Sequence, residues 1–126
     1  MKAYLAGPMS GVPEFNVPTF LAAADYLRRA GYDIFNPAEH DMEITGDKEF
    51  YKGLDGTVPP DGLSYRTCLK ADLGWICDNA EALFLLPNWE ASKGVAAELA
   101  LAEALGITVY EIKGDIDDFY YYERIR

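Results

Sequence analysis

Four short runs of apolar residues, each followed by a turn-forming residue, predict the β-strands of this chain. They cover residues 2–6, 32–35, 82–86 and 107–112. The run Ala82-Leu83-Phe84-Leu85-Leu86 is apolar without a break, which is typical of a central parallel strand covered on both faces. The pattern therefore predicts a mainly parallel sheet of four or five strands.

Three segments repeat apolar residues at helical spacing. The first spans 16–30, with Asn16 available as a cap and Gly31 just past its end. The second runs from Ser64 to about residue 78, and the third spans 92–105. The buried face predicted for the second helix comprises Tyr65, Leu69, Leu73 and Ile76.

The alternation of these strands and helices favours an α/β fold with right-handed crossovers and helices on both faces of the sheet. A chain of 126 residues has the size of one domain, so we assign residues 1–126 to a single domain. Residues 37–62 lack a regular period and predict a lid or a subunit contact. The tail, residues 115–126, is compatible with a short helix or with an arm that packs on a partner.

The net charge and the cysteines indicate which binding partners and which cellular compartment to expect. The net charge of −10 argues against a nucleic-acid polymer or an anionic membrane as partner, although a helix start can still bind one small anion. Cys68 and Cys77 lie on one predicted helix and cannot easily pair, and no signal peptide or long apolar span is evident. We therefore expect a cytoplasmic protein.

The sequence indicates no metal or cofactor chemistry. His40 is the single histidine, and neither a CxxC nor an HExxH spacing occurs. These facts leave no basis for a zinc site or a Ser-His-Asp triad. The turn after the first strand is neither a dinucleotide fingerprint nor a Walker loop. We expect a site without metal or cofactor.

Two carboxylates lie where a predicted helix is otherwise apolar. Glu98 is surrounded by aliphatic neighbours in the third helix, and Asp72 falls on the apolar face of the second. Taken singly, Glu98 could emerge at the solvent edge and Asp72 could form a salt bridge. Together they indicate a nucleophile and an acid, a pair that suits glycosidic chemistry with its oxocarbenium-like transition state.

Ligands of parallel α/β sheets bind at the carboxyl ends of the strands. That edge is predicted to contain a glycine-bearing turn, a helix start whose N–H groups can bind an anion, and an aromatic residue in the loop before it. The glycines could equally just shape the turn, and a tryptophan is more often a packing residue. The predicted binding residues are Gly7, Pro8, Met9, Ser10, Gly11, Trp89, Ser92, Lys93 and Gly94.

The opening segment Tyr4-Leu5-Ala6-Gly7-Pro8-Met9 resembles the first strand and turn of nucleoside 2-deoxyribosyltransferase-like proteins. The segment 85–94 followed by a glutamate is similar to a small bacterial and phage branch of that group, related to the nucleoside 5′-monophosphate N-glycosidases. The resemblance covers residues 2–112. Four further positions match the family's helix aspartate, sugar-end residue, glycine and catalytic glutamate, namely Asp72, Ser92, Gly94 and Glu98.

The resemblance implies a flavodoxin-like three-layer sandwich and a mechanism. Glu98 would attack the anomeric carbon, Asp72 would protonate the leaving base or orient the sugar, and Tyr4 would hold the nucleophile. Serine at position 92, next to Lys93, is similar to the monophosphate hydrolases, in which the serine meets phosphate. The expected activity is therefore cleavage of the N-glycosidic bond of a nucleoside 5′-monophosphate or nucleoside, with hydrolysis or base transfer.

Two other classes of protein are alternatives to this activity. A non-catalytic nucleotide-binding or sensor protein of the same fold stays open. A receiver or flavin-binding module fits poorly, because a receiver needs an aspartate at the end of the central strand, where Pro87-Asn88 stands.

The long segment beside a shallow site favours a homo-oligomer, at least a dimer, with Trp89 and the tyrosine-rich tail as candidate contacts.

Overall fold

The computed structural model describes residues 1–58, 64–114 and 121–126. They form a five-stranded sheet in the order β2-β1-β3-β4-β5, in which the first four strands are parallel and β5 runs antiparallel to β4. The strands are β1 (Lys2–Ala6), β2 (Asp33–Phe35), β3 (Ala82–Leu85), β4 (Thr108–Lys113) and β5 (Tyr121–Arg124). This order is the flavodoxin-like one, as expected.

Four α-helices accompany the sheet, namely α1 (Val17–Arg29), α2 (Pro37–Thr45), α3 (Tyr65–Asn79) and α4 (Lys93–Leu105). Three of them match the helices predicted from the sequence. Asn16 stands at the N-cap of α1 but does not cap it, because its side-chain amide donates to the carbonyl of Pro8 at 2.9 Å. Gly106 ends α4 in a left-handed conformation, which glycine adopts without steric cost.

Two apolar cores lie on opposite faces of the sheet. On one face, α1 packs Phe20, Ala24 and Leu27 against alternate residues of the strands. On the other face, α3 and α4 pack Ile76 and Val95, with their neighbours, against the remaining strand residues. Helices on both faces make the three-layer α/β sandwich that was expected, and β3 is fully buried between them.

The structure corrects three predictions of local structure. Residues 37–45 form α2, because the Asn36 side chain accepts from the Ala38 N–H at 3.0 Å and Pro37 suits the first helical position. Tyr65 is exposed rather than buried, since it lies at the open end of α3. In the described part of the tail, Tyr121–Arg124 forms β5 and pairs with β4 of the same chain, instead of a helix or an arm on a partner. Residues 59–63 and 115–120 lie outside the described residues.

The described part of the chain contains no helix that is long and apolar enough to cross a membrane.

Candidate active site

A cavity of about 700 Å³ opens at the carboxyl ends of β1 and β3. Its volume is in the usual range for small-molecule sites, which is roughly 300–1,000 Å³. The turn after β1 and the start of α4 form part of its wall, and α3 contributes another part. Of the residues predicted to form the site, the cavity is lined by Tyr4, Gly7, Pro8, Met9, Ser10, Gly11, Asp72, Ser92, Lys93, Gly94 and Glu98.

Glu98 places a buried carboxyl in this cavity. The residue is only 5% exposed and stands on α4 among aliphatic neighbours. The hydroxyl of Tyr4, from the middle of β1, donates a hydrogen bond to Glu98 Oε2. Burial raises the pKa of Glu98 to about 8, the hydrogen bond from Tyr4 opposes that shift, and the charge of Asp72 adds to it. The carboxyl is thus buried and held by the Tyr4 hydroxyl.

Asp72 faces the same cavity from α3. Burial raises its pKa to about 6, the charge of Asp41 contributes to the rise, and a hydrogen bond with Tyr4 opposes it. Burial and these two carboxyls raise the pKa of the Tyr4 hydroxyl well above its usual range, so Tyr4 stays protonated. Tyr4 therefore acts as a fixed donor to Glu98, with Asp72 close by.

The start of α4 presents hydrogen-bond donors to the cavity. The hydroxyl oxygen of Ser92 caps the helix by accepting from the Val95 N–H at 3.3 Å. The hydroxyl proton of Ser92 remains able to donate, and the first N–H groups of a helix have no partner within the helix. A Cβ atom at Gly94 would lie 3.7 Å from Tyr65 Oη, an ordinary contact. The fold itself does not require glycine at position 94.

The glycines of the first turn have structural reasons to be glycine. A Cβ atom at Gly7 would lie 2.7 Å from Leu86 Cδ1, which is too close. Gly11 has a φ of +81°, and its N–H donates to the Gly56 carbonyl at 2.7 Å. These two observations favour the interpretation in which the glycines shape the turn.

A strained turn follows directly and was not predicted. Glu14, Phe15 and Asn16 have φ values of 56°, 53° and 61°, in the left-handed region. Three consecutive non-glycine residues there cost roughly 1–2 kcal/mol each. Hydrogen bonds from the neighbouring loop offset this cost, including one from the Glu14 N–H to the Leu54 carbonyl at 2.7 Å. Such strain often occurs beside functional sites, and Phe15 lines the cavity.

Comparison with known proteins identifies the family. A family model described as "Domain of unknown function (DUF4406)" matches residues 1–111. The chain belongs to this family. No curated protein matches the chain, and no solved structure does. The matched range includes every residue that lines the cavity.

Trp89 of this family member does not line the cavity, although its loop was predicted to form the mouth. Its indole N–H donates to Glu111 Oε1 at 3.0 Å, and its ring packs against the α3–α4 core. The left-handed conformation of Asn88, with a φ of 67°, precedes it in the loop. Asn88 lines the cavity instead. Trp89 therefore has a packing role and does not form part of the cavity wall.

The α2 side of the cavity was not predicted from the sequence. Asp41 and Cys68 both line it, and they contact each other. The signal was present in Asn36-Pro37, a cap residue followed by proline at the first helical position. Within residues 1–58, 64–114 and 121–126, no three His, Cys, Asp or Glu side chains are arranged to hold a metal ion.

Proposed function

We propose that this protein cleaves the N-glycosidic bond of a nucleoside 5′-monophosphate, with Glu98 as nucleophile. The observation that carries the proposal is the buried Glu98 carboxyl, held by the Tyr4 hydroxyl in a cavity that also contains Asp72. Among the described residues no cationic side chain pairs with this buried carboxyl, and a buried acidic group with a strongly raised pKa in a cavity is typical of a functional site. The resemblance to nucleoside 2-deoxyribosyltransferase-like proteins at these positions supports the same reaction.

The proposed reaction proceeds in two steps. A Glu98 carboxylate oxygen forms a bond to the anomeric carbon while the bond from that carbon to the base nitrogen breaks. The electron pair goes to the base, which takes a proton from Asp72. Water, or a second base in a transfer reaction, then attacks the anomeric carbon and frees the Glu98 carboxylate. With water, the proton that the water loses returns to Asp72, and the sugar 5′-phosphate leaves.

The start of α4 supports a phosphorylated substrate. The Ser92 hydroxyl and the N–H groups of Lys93 and Gly94 can donate charge-assisted hydrogen bonds to a 5′-phosphate. Each such bond contributes about 1.5–3 kcal/mol. Even partial formation favours the monophosphate over the nucleoside by on the order of 10²-fold in kcat/KM.

The experiment incubates the wild-type protein with 2′-deoxynucleoside 5′-monophosphates and with the matching nucleosides. We expect free base and sugar 5′-phosphate in equal amounts from the monophosphates and much slower release from the nucleosides. Ser92→Asp should reverse this preference, because its carboxylate repels phosphate but accepts a hydrogen bond from a free 5′-hydroxyl. Equal kcat/KM values for both substrates in both proteins would mean that the start of α4 does not bind phosphate.

A non-catalytic nucleotide-binding protein is the second candidate, and one observation favours it. With its pKa raised to about 8, Glu98 is mostly protonated at neutral pH. A protonated carboxyl donates and accepts hydrogen bonds to a sugar but is a poor nucleophile. Saturable nucleotide binding with no free base released from any monophosphate would support this candidate.

A further inference from the structure

Asp41 is a buried acidic residue of the cavity that the proposed reaction does not use. It stands on α2, is 8% exposed and lines the cavity. Within the described residues, the hydrogen-bond donor to its carboxyl is the Cys68 thiol, with Sγ 3.7 Å from Oδ1. A thiol is a weak donor, so most of the carboxylate's capacity to accept hydrogen bonds is unfilled. Such a group in a cavity wall calls for a donor from a ligand.

Asp41 belongs to a different element of the cavity wall from Glu98 and the Ser92 cap, which both belong to α4. Glu98 lies six residues beyond Ser92, which is roughly 9 Å along a helix. Helix α3 packs against α4, and Asp41 of α2 contacts Cys68 of α3, one helical turn before Asp72. A substrate with its phosphate at Ser92 and its anomeric carbon at Glu98 therefore extends its base past Asp72 toward Asp41.

Nucleobases differ in the donors that they offer to a carboxylate. An ionised carboxylate only accepts hydrogen bonds, and its two oxygens suit two adjacent donors. Guanine offers an adjacent ring N–H and amino group. Adenine and cytosine place an acceptor beside their amino group, and hypoxanthine has the ring N–H alone. Burial raises the pKa of Asp41 to about 6, so the carboxyl is largely ionised above pH 7.

We propose that Asp41 selects the base by accepting two hydrogen bonds from the edge of guanine, which makes guanine nucleotides the favoured substrates. The assignment rests on the proposed function, because that function supplies the orientation of the nucleotide. Tyr65, Cys68 and Leu69 of α3 also line the cavity, and Cys68 contacts Asp41. These side chains supply a wall for the base.

The test measures binding of 2′-deoxyguanosine and 2′-deoxyadenosine 5′-monophosphates by calorimetry at pH 7.5, in a Glu98→Gln background that prevents turnover. We expect guanine to bind roughly 10–10²-fold more tightly than adenine, the discrimination of a good bidentate pair. Asp41→Asn should reverse this order, because an amide presents one donor and one acceptor, as adenine requires. Asp25→Asn, which alters an exposed ion pair on α1, is the matched control and should keep the guanine preference.

A second measurement needs no change at position 41 and covers the case in which Asp41→Asn fails to fold. In the same Glu98→Gln background, the deoxyinosine monophosphate should bind about tenfold more weakly than the guanine nucleotide, because it lacks the amino group. Equal affinities for guanine and hypoxanthine, or a guanine preference unchanged in Asp41→Asn, would overturn the assignment. Base release by the wild type without guanine selectivity would overturn it and leave the proposed function intact. Guanine-selective binding without base release by the wild type would overturn the proposed function and leave the assignment of Asp41 intact.

Discussion

At the scale of single residues, the proposed chemistry depends on the protonation of two acids, the buried Glu98 and the partly buried Asp72. Burial raises the pKa of Glu98 to about 8 and that of Asp72 to about 6. Between these values the pair holds a single proton, mainly on Glu98, the group with the higher pKa. Tyr4 donates its hydroxyl proton to Glu98. The proposed reaction proceeds from the less populated arrangement, in which Glu98 is ionised and Asp72 is protonated. The two pKa values belong to the pair rather than to either residue alone.

The shared proton predicts a bell-shaped dependence of kcat/KM on pH. Below about pH 6 both acids are protonated and Glu98 cannot attack, whereas above about pH 8 both are ionised and no proton is available for the base. The optimum therefore lies near neutrality. Initial rates of base release from pH 5 to pH 9 check this profile, and a rate that keeps rising above pH 8.5 would contradict it. Asp72→Asn should remove the alkaline limb and slow release by roughly 10²–10⁴-fold.

Glu98 also predicts how stability depends on pH. Its pKa is raised from 4.5 to about 8 in the folded state, so between these values the folded protein holds a proton that the unfolded chain releases. The stability of the wild type therefore falls as pH rises through this window. The glutamine side chain of Glu98→Gln does not titrate. The free energy of unfolding of this variant, relative to that of the wild type, should therefore rise by on the order of 1–3 kcal/mol from pH 5 to pH 8.

Denaturant unfolding at both pH values measures this difference. The matched control is Glu103→Gln on the same helix, where an exposed glutamate forms an ion pair with Arg126. It should show no comparable dependence on pH. If the difference in unfolding free energy between Glu98→Gln and the wild type is the same at pH 5 and pH 8, Glu98 is ionised throughout this range.

At the scale of elements, helix starts position the chemistry. The start of α4 was predictable, because Ser92 is a cap residue directly after an uninterrupted apolar strand. The start of α2 was overlooked, because the glycines and prolines of residues 46–62 obscured the short period of residues 37–45. The left-handed turn at Glu14 to Asn16 could not be predicted, since its cost is offset by contacts with the distant residues 53–56.

Gly94 provides a test of the start of α4. In Gly94→Ala the added methyl group makes only ordinary contacts within the protein, and alanine suits a helix better by up to about 1 kcal/mol. The variant should be at least as stable as the wild type. Its methyl group lies where the phosphate is proposed to bind, so kcat/KM should fall by roughly 10–10²-fold.

Thermal unfolding and steady-state kinetics measure both effects. Gly74→Ala is the matched control, because a Cβ atom there meets no atom within 4 Å and the residue does not line the cavity. It should leave kcat/KM unchanged. Wild-type kcat/KM in Gly94→Ala would place the ligand elsewhere in the cavity.

At the scale of the whole molecule, the sequence predicted the layers and most of the site. Periodicity identified β1 to β4 and three helices because each buries a regular apolar face. Asp72 and Glu98 were found because polar groups in apolar surroundings stand out, whereas Tyr4 was named only through the family resemblance. All three line one cavity. The placement of Trp89 and Asp41 depends on tertiary contacts with Glu111 and Cys68, which no local pattern encodes.

The expected homo-oligomer stays a prediction. Of the residues of α3, Ile76 alone is fully buried, while apolar residues such as Leu73 and Trp75 are partly exposed. These partly exposed side chains offer apolar area that a second copy could cover. Light scattering at assay concentration should give a mass at least twice that of one chain. A fully active monomer would contradict this expectation.

The account's central claim is that Glu98 attacks the anomeric carbon, and one comparison tests it most directly. Base release from the 2′-deoxynucleoside 5′-monophosphates is measured by liquid chromatography for the wild type, Glu98→Gln and the control Glu103→Gln. The claim predicts release by the wild type and by Glu103→Gln, and loss of turnover in a folded Glu98→Gln. Release by Glu98→Gln at the wild-type rate would contradict it.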